Sequence, residues 1–265
     1  MNSKGIDGKV VVVTGAGGDI GSGICSVLAQ NGASVVGVDI NEEAVQMAMK
    51  VVSKATGKKI LANKMDVTNN ESINQVINEI NEKLGGADAL VNNAGVITLS
   101  PFLELPDHEW DFIMNVNAKG VFLCTKLFAK DMIRRKVAGT IVNISSAASK
   151  VPFPNQVHYN ASKAAVNAIT KASARELAPY NIRVNAICPG AVDAKMLKDV
   201  ANYAAKNMNV SPSDIINSIL STVSTKRLVK PEEIGQLVAF LLSDSSASIS
   251  GQLINIDGGD VTINY

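Results

Sequence analysis

The stretch VVVVTGAGGDIG, Val10–Gly21, constrains the fold more than any other part of this chain. Four β-branched residues in a row read as a strand buried on both faces. After the glycines, apolar residues recur at helical spacing from Ile20 to Gln30. A strand that turns through glycines into a helix is half of a βαβ unit, and the chain repeats that alternation. Strand patterns fall at Ala33–Asp39, Ile60–Val67, Ala89–Asn93, Thr140–Ser145, Ile182–Cys188 and Gln252–Asp257. Helical patterns fall at Glu42–Lys54, Glu71–Leu84, Asp107–Arg135, His158–Ala178 and Pro231–Leu242. Right-handed crossovers then predict an α/β fold, a doubly wound parallel sheet of the Rossmann type, with about seven strands and helices on both faces.

Aromatic residues make up only 4% of the 265, so Val, Ile, Leu and Ala must fill the core, as in buried parallel sheets. The whole chain, 1–265, reads as a single domain with no repeat, low-complexity tract or linker. Ala191–Arg227 breaks the rhythm, being mostly polar and helical where a strand is due. Ligands of doubly wound sheets sit outside the carboxyl ends of the strands, so this insertion is placed to be a substrate lid. The charge balance, 25 basic against 24 acidic residues, argues against nucleic acid or an anionic membrane as partner. No apolar run approaches the ~18 residues a membrane span needs, and the N-terminus lacks a signal-like pattern. Cys25, Cys124 and Cys188 share no short spacing and suit a reduced compartment, so a cytoplasmic protein is expected. His108 and His158 join no metal-ligand pattern, so no metal is expected; His158 reads as an exposed residue where a helix begins.

In Thr14–Gly21, glycine lets the backbone turn tightly and approach a pyrophosphate, while the helix start offers free N–H groups and a positive dipole end. Such a turn alone is a common joint between strand and helix. Asp39 strengthens the reading, because it ends the second strand eighteen residues past Gly21, where an acidic side chain can take a ribose 2′-hydroxyl. Its bland reading is a turn former or helix cap. A carboxylate repels the 2′-phosphate of NADP, and neither Gly18 nor Ile40 supplies a cation, so NAD is the expected cofactor. Tyr159 and Lys163 lie four apart on a predicted helix and share a face, a pairing that chance alone can supply. No GxSxG elbow is present, which disfavours a hydrolase.

Seven motifs in order change the weight of these features: TGAGGDIG, NNAG (Asn92–Gly95), NVNAKGVF (Asn115–Phe122), IVNISS (Ile141–Ser146), YNASK (Tyr159–Lys163), RVNAICPG (Arg183–Gly190) and DGG (Asp257–Gly259). Together they resemble the short-chain dehydrogenase/reductase family, in its short single-domain branch, from about Lys9 to Gly259. The resemblance implies Tyr159 as general acid/base, Lys163 beside it and on the nicotinamide ribose, and Ser146 on the substrate oxygen. Ser145 is a rival to Ser146 on sequence alone. Asn117 would hold a water that relays protons to Lys163. A free tyrosine titrates near 10, and a cation ~4 Å away would lower that by up to about three units. For the cofactor the resemblance adds Gly15, Gly17, Asp19 and Ile20 in the turn. Asp39 and Ile40 join them at the ribose, and Asp66 and Val67 at the adenine. Asn93, Ala94 and Gly95 would line the cofactor, and Pro189, Gly190 and Val192 the nicotinamide amide.

Three positions depart from the family pattern. Asp19 replaces a motif glycine, and a carboxylate beside a pyrophosphate is unfavourable unless it points away. Ala194 replaces a usual threonine, and Ser149 a usual glycine. The reading is an NAD-dependent dehydrogenase moving hydride between nicotinamide and a secondary alcohol or ketone, with a sugar or sugar alcohol as first substrate. The alternative is a reductase of a small ketone, diketone or 3-oxoacyl group. A non-catalytic NAD-binding regulator is the rival of another class; it should have lost part of the Asn117, Ser146, Tyr159 and Lys163 set, and all four are present. The loop Ser149–Lys163 is similar to that of bacterial glucose dehydrogenases, which makes Lys150 and Asn155 expected substrate contacts. The resemblance also implies a homotetramer built on Asp107–Arg135, His158–Ala178 and the C-terminal segment.

Overall fold

The computed structural model describes residues 5–260; the ends of the expected 1–265 domain, 1–4 and 261–265, lie outside the described residues. The chain runs β1 (Val10–Thr14), α1 (Asp19–Gln30), β2 (Ser34–Asp39), α2 (Glu42–Thr56), β3 (Leu61–Lys64), α3 (Asn70–Leu84) and β4 (Ala89–Asn92). It continues with α4 (Asp107–Ile113), α5 (Gly120–Arg135), β5 (Gly139–Ile144), α6 (Val157–Leu177) and β6 (Ile182–Pro189). The last elements are α7 (Lys195–Met208), α8 (Pro212–Thr222), α9 (Pro231–Leu242) and β7 (Leu253–Ile256). All strands pair in parallel, in the order β3-β2-β1-β4-β5-β6-β7. The order reverses between β1 and β4, and the carboxyl ends of these strands flank the crevice where such sheets bind ligands.

Strand periodicity divides the core in two. Val11 and Val13 pack with Ile24 and Leu28 of α1 and Ile234 and Val238 of α9. Val10 and Val12 point the other way, to Ile73 and Ile77 of α3 and Phe128 and Met132 of α5. Asn41 and Asn69 cap α2 and α3 by accepting from first-turn amides. Among the described residues no helix is long and apolar enough to cross a membrane.

Two expected elements differ. The strand expected at Ile60–Val67 stops at Lys64, because Asp66 turns the chain. Its Oδ1 accepts from Thr68 N at 2.8 Å and from Thr68 Oγ1 at 2.7 Å. The helix expected at Asp107–Arg135 is interrupted by a π-helical turn at Met114–Lys119. That turn carries Asn117, which is fully buried; π turns inside α-helices are frequent at functional sites.

A buried polar ladder sets the helices on the sheet. Asn92 Nδ2 on β4 donates to Thr125 Oγ1 on α5 at 3.0 Å and to Asn143 Oδ1 on β5 at 2.8 Å. Asn143 Nδ2 donates to Thr170 Oγ1 on α6 at 2.9 Å. Asn143→Ala removes both of its bonds and leaves a void, so we expect a loss of about 3 kcal/mol in urea unfolding. A loss under about 1 kcal/mol would show that the ladder does not hold these elements.

Candidate active site

At the switch point two motifs become one piece. The Thr14 hydroxyl accepts from the N–H groups of Asn93 at 3.0 Å and Ala94 at 2.9 Å. In return Asn93 Nδ2 donates to the carbonyls of Thr14 at 2.9 Å and Gly15 at 3.1 Å. Thr14 is a site residue that sequence reasoning missed, because a threonine ending a strand carries no distinct signal. The turn itself needs glycine: Gly15 has φ 65°, and a Cβ on Gly21 would sit 2.2 Å from the Gly15 carbonyl. The N-cap of α1 is Gly18, so no side chain caps the amides at that helix start. Asp39 braces the same turn from the end of β2. Its Oδ2 accepts from Gly17 N at 3.1 Å and its Oδ1 from Asn41 N at 3.0 Å.

A cleft of about 450 Å³ opens here. Gly15, Asp19, Ile20, Asp39 and Ile40 line one side, and Asp66, Val67 and Asn93–Gly95 the other. Gly17 stands outside the lining, with its N–H engaged by Asp39. An uncapped helix start and a carboxylate at the end of β2 fit the pyrophosphate and ribose of a dinucleotide.

A second cleft of about 390 Å³ adjoins the first and shares Ile20, Asn93, Gly95, Ala194 and Met196 with it. Ser146, Tyr159 and Lys163 face it, with Pro189, Gly190 and Val192 from the end of β6 and the segment after it. Both serines line the cleft but differ in partners: Ser145 Oγ donates to the Lys163 carbonyl at 3.1 Å, whereas Ser146 Oγ accepts from Ala148 N at 3.1 Å. Lys163 Nζ donates to the Ile144 carbonyl at 3.0 Å and lies 5.7 Å from the centre of the Tyr159 ring. Asn117 sits behind the cleft. Its Oδ1 accepts from Val96 N at 2.8 Å, and its Nδ2 donates to Val96 O at 2.9 Å and Ser162 Oγ at 3.1 Å. A side chain on Gly95 would begin 3.3 Å from Lys163 Nζ and 3.4 Å from Asn117 Oδ1, so glycine keeps this point open.

Burial governs the electrostatics of the pair. Burial raises the Tyr159 phenol above its ordinary value, and the hydrogen bond with Ser146 only partly opposes this. Burial also pushes the Lys163 ammonium down, to about 8.

Other expected residues go elsewhere. Lys150 Nζ donates to Leu253 O at 3.1 Å and to Asn255 Oδ1, which ties the loop to β7 rather than to the cleft. Asn155 is exposed and off both linings, turning with φ 59° while its carbonyl accepts from Ser100 N. His158 is fully buried rather than exposed, with Nε2 2.6 Å from Thr98 Oγ1, and burial lowers its pKa. Ser149 braces the catalytic loop, donating to Ser146 O and accepting from Asn167 Nδ2. Asp19 turns away from its own helix, and its Oδ2 accepts from Lys195 N at 2.7 Å.

The insertion expected as a lid, Ala191–Arg227, folds as two helices whose entry and exit meet where Val192 and Val229 pair in a short parallel bridge. Its helices α7 and α8 bring Met196, Leu197, Val200 and Ile219 to the catalytic cleft, opposite Ile97 and Phe153. Gln156, Ser218, Thr222 and Asp260 add polar groups. Of the lining residues in this segment the sequence points to Val192 and Ala194 alone, since the path of an insertion is not periodic.

Lys163 offers a stability test. Free lysine titrates near 10.4, so between about pH 8 and that value the unfolded chain holds a proton that folded Lys163 has released. Stability contributed by this group therefore rises with pH across that window. Relative to Lys163→Met, the wild-type protein should gain about 3 kcal/mol from about pH 8 to about pH 10.5 in denaturant titrations. Parallel stability curves would contradict a buried, depressed lysine.

The comparisons agree with this geometry. Residues 15–260 match a family model described as enoyl-(acyl carrier protein) reductase. The chain is 37% identical to the 3-oxoacyl-[acyl-carrier-protein] reductase FabG of Thermotoga maritima, covering 96% of this chain and 98% of the relative. Among solved structures, an NAD+-bound xylitol dehydrogenase superposes with a TM-score of 0.90 at 33% identity, covering 96% of this chain and 99% of that one. An actinorhodin polyketide ketoreductase with NADPH gives 0.91 at 33% identity, covering 97% and 98%. With its seven-stranded parallel sheet and both clefts at the switch point, the chain belongs to the short-chain dehydrogenase/reductase family of oxidoreductases.

Proposed function

We propose that this protein is an NAD-dependent dehydrogenase that interconverts a secondary alcohol and its ketone on a compact substrate with a mostly apolar body. The observation that carries the reading is the convergence of Ser146, Tyr159 and Lys163 on one cleft that opens directly into the dinucleotide cleft. A bound nicotinamide supplies the hydride acceptor or donor. Ser146 Oγ holds the substrate oxygen by a hydrogen bond, and Tyr159 Oη exchanges a proton with that oxygen. In the reducing direction the raised phenol pKa suits Tyr159, since it keeps the group protonated until it gives its proton up. In the oxidising direction Tyr159 must become a base, and the positive charge of an oxidised nicotinamide favours that. Lys163 fixes the geometry from below, and Asn117 braces the back of the site through Val96 and Ser162. A non-catalytic NAD-binding regulator is disfavoured, because Asn117, Ser146, Tyr159 and Lys163 are all held in place.

The relatives' names leave cofactor and substrate open, since one solved structure holds NAD+ and another NADPH. Asp39 supports NAD, because its carboxylate lines the cleft and opposes a 2′-phosphate. For the substrate, the sugar reading loses two of its expected contacts, since Lys150 and Asn155 stand off the cleft while Gln156 of the same loop lines it. Ile97, Phe153, Met196, Leu197, Val200 and Ile219 make its wall apolar, which favours the ketone reading. We further propose a homotetramer. Trp110 and Phe112 of α4 and Phe122 of α5 are 39%, 48% and 47% exposed, on the helices the family resemblance places between subunits. The end of the expected C-terminal contact, 261–265, lies outside the described residues.

Three measurements test these readings. Wild-type kcat/KM should favour NAD over NADP, and Asp39→Ala should narrow the gap on the order of tenfold. Comparable values for both cofactors in the wild-type protein would refute the assignment. Cyclohexanol and 2-butanol should exceed xylitol and sorbitol in kcat/KM by about tenfold or more, with Lys150→Ala changing KM little. A preference for polyols would return the sugar reading. Light scattering at micromolar concentration should report four chains; a monomer would contradict the assembly.

A further inference from the structure

The two departures at Asp19 and Ala194 meet in space. α7, the first lid helix, begins after Ala194, whose methyl group cannot cap the helix, and no side chain of its own segment does so. The cap comes instead from the phosphate turn, where Asp19 Oδ2 accepts from Lys195 N, the first helical amide, at 2.7 Å. An acceptor on a first-turn amide is what an N-cap side chain normally provides, and a carboxylate also suits the positive end of a helix. The start of α7 stands between the clefts: Ala194 and Met196 line both, Lys195 the dinucleotide side and Leu197 the catalytic side. The lid helices bury little, α7 burying Ala201 and Ala205 and α8 none, and the other tether lies at the far end of the lid, where Thr222 Oγ1 donates to Asp260 Oδ1 at 3.1 Å and Thr225 N to Gly258 O at 3.1 Å.

We propose that Asp19 is the latch of the lid: a positioning residue that caps α7 from the phosphate turn and holds the lid over both clefts before any cofactor arrives. The contact also draws the carboxylate toward α7 and off the start of α1, where no side-chain cap occupies the amides. A charge that would repel a pyrophosphate at that point is therefore committed to the lid. The latch sets where Met196, Leu197, Val200 and Ile219 stand, and so the width of the substrate wall.

The first test needs neither cofactor nor substrate. Hydrogen exchange of the free protein should show the amides of 195–222 exchanging about tenfold faster in Asp19→Gly, the size expected for one lost cap, with β1 and β5 unchanged. Asp19→Asn keeps an acceptor without the charge and should show a smaller rise. The decisive variant is the double substitution Asp19→Gly with Ala194→Ser, which places a cap within the lid's own chain and should restore protection. With the most active alcohol of the panel, Asp19→Gly should raise KM several-fold more than it lowers kcat. Unchanged exchange in Asp19→Gly, or faster exchange that Ala194→Ser does not reverse, would overturn the latch. Because these exchange measurements are made without ligand, their outcome is independent of whether the proposed dehydrogenase reading holds.

Discussion

A buried ammonium needs an acceptor, and for Lys163 it is the carbonyl of Ile144, the last residue of β5, at 3.0 Å. Taking this charge from water costs several kcal/mol, which an unpaired lysine could not offset. The residues on either side of Ile144 reinforce the same joint. Asn143 reaches Thr170 and Ser145 reaches the Lys163 carbonyl, so three consecutive residues bind one helix. Ser146 follows directly, and Tyr159 lies one helical turn before Lys163. The relative position of hydroxyl, phenol and ammonium is therefore a consequence of how α6 is fastened to the end of the sheet. A parallel sheet makes this possible because its strands all end on the same side.

The dinucleotide cleft presents a related problem, since its rim carries Asp19, Asp39 and Asp66 where a pyrophosphate has to fit. Each carboxylate is already engaged by the protein. Asp39 accepts from Gly17 and Asn41, Asp66 from Thr68, and Asp19 from Lys195. These bonds satisfy at least one oxygen of each acid, so a positive helix end and three acids coexist on one rim. The same bonds tie the turn to β2, β3 to its following loop, and the lid to the turn. Electrostatic repulsion is handled by geometry rather than by removing charge.

Much of this was legible in the residues. Val10–Val13 and the periodic helices after it predict a parallel sheet of about seven strands covered on both faces, and Tyr159 and Lys163 fall on one helical face as their spacing requires, whereas the strand order comes from the structure. Asn117 and Ser146 were found through ordered motifs, not through their own chemistry. What was not legible has physical reasons. The π turn at Met114–Lys119 leaves helical periodicity almost intact, so the sequence shows one long helix. Lys150 looked like a substrate donor because its partners, Leu253 and Asn255, lie more than a hundred residues away. Spacing reveals the proximity of Lys163 and Tyr159 but not their burial, which is the largest cause of the shift at both groups. Asp19 and Ala194 read as two separate losses in the sequence, and only the bond from Lys195 N to Asp19 Oδ2 brings the two positions together.

The account rests on Tyr159 as the group that moves the proton while other residues hold the reactants. The most direct test loads Tyr159→Phe with NAD, adds the alcohol, and follows NADH absorbance in a single turnover, with NAD affinity measured alongside by calorimetry. The account predicts a rate at least about 100-fold below wild type, the least expected from losing a general acid/base, with NAD affinity nearly unchanged. A rate above about a tenth of wild type at equal NAD occupancy would contradict it.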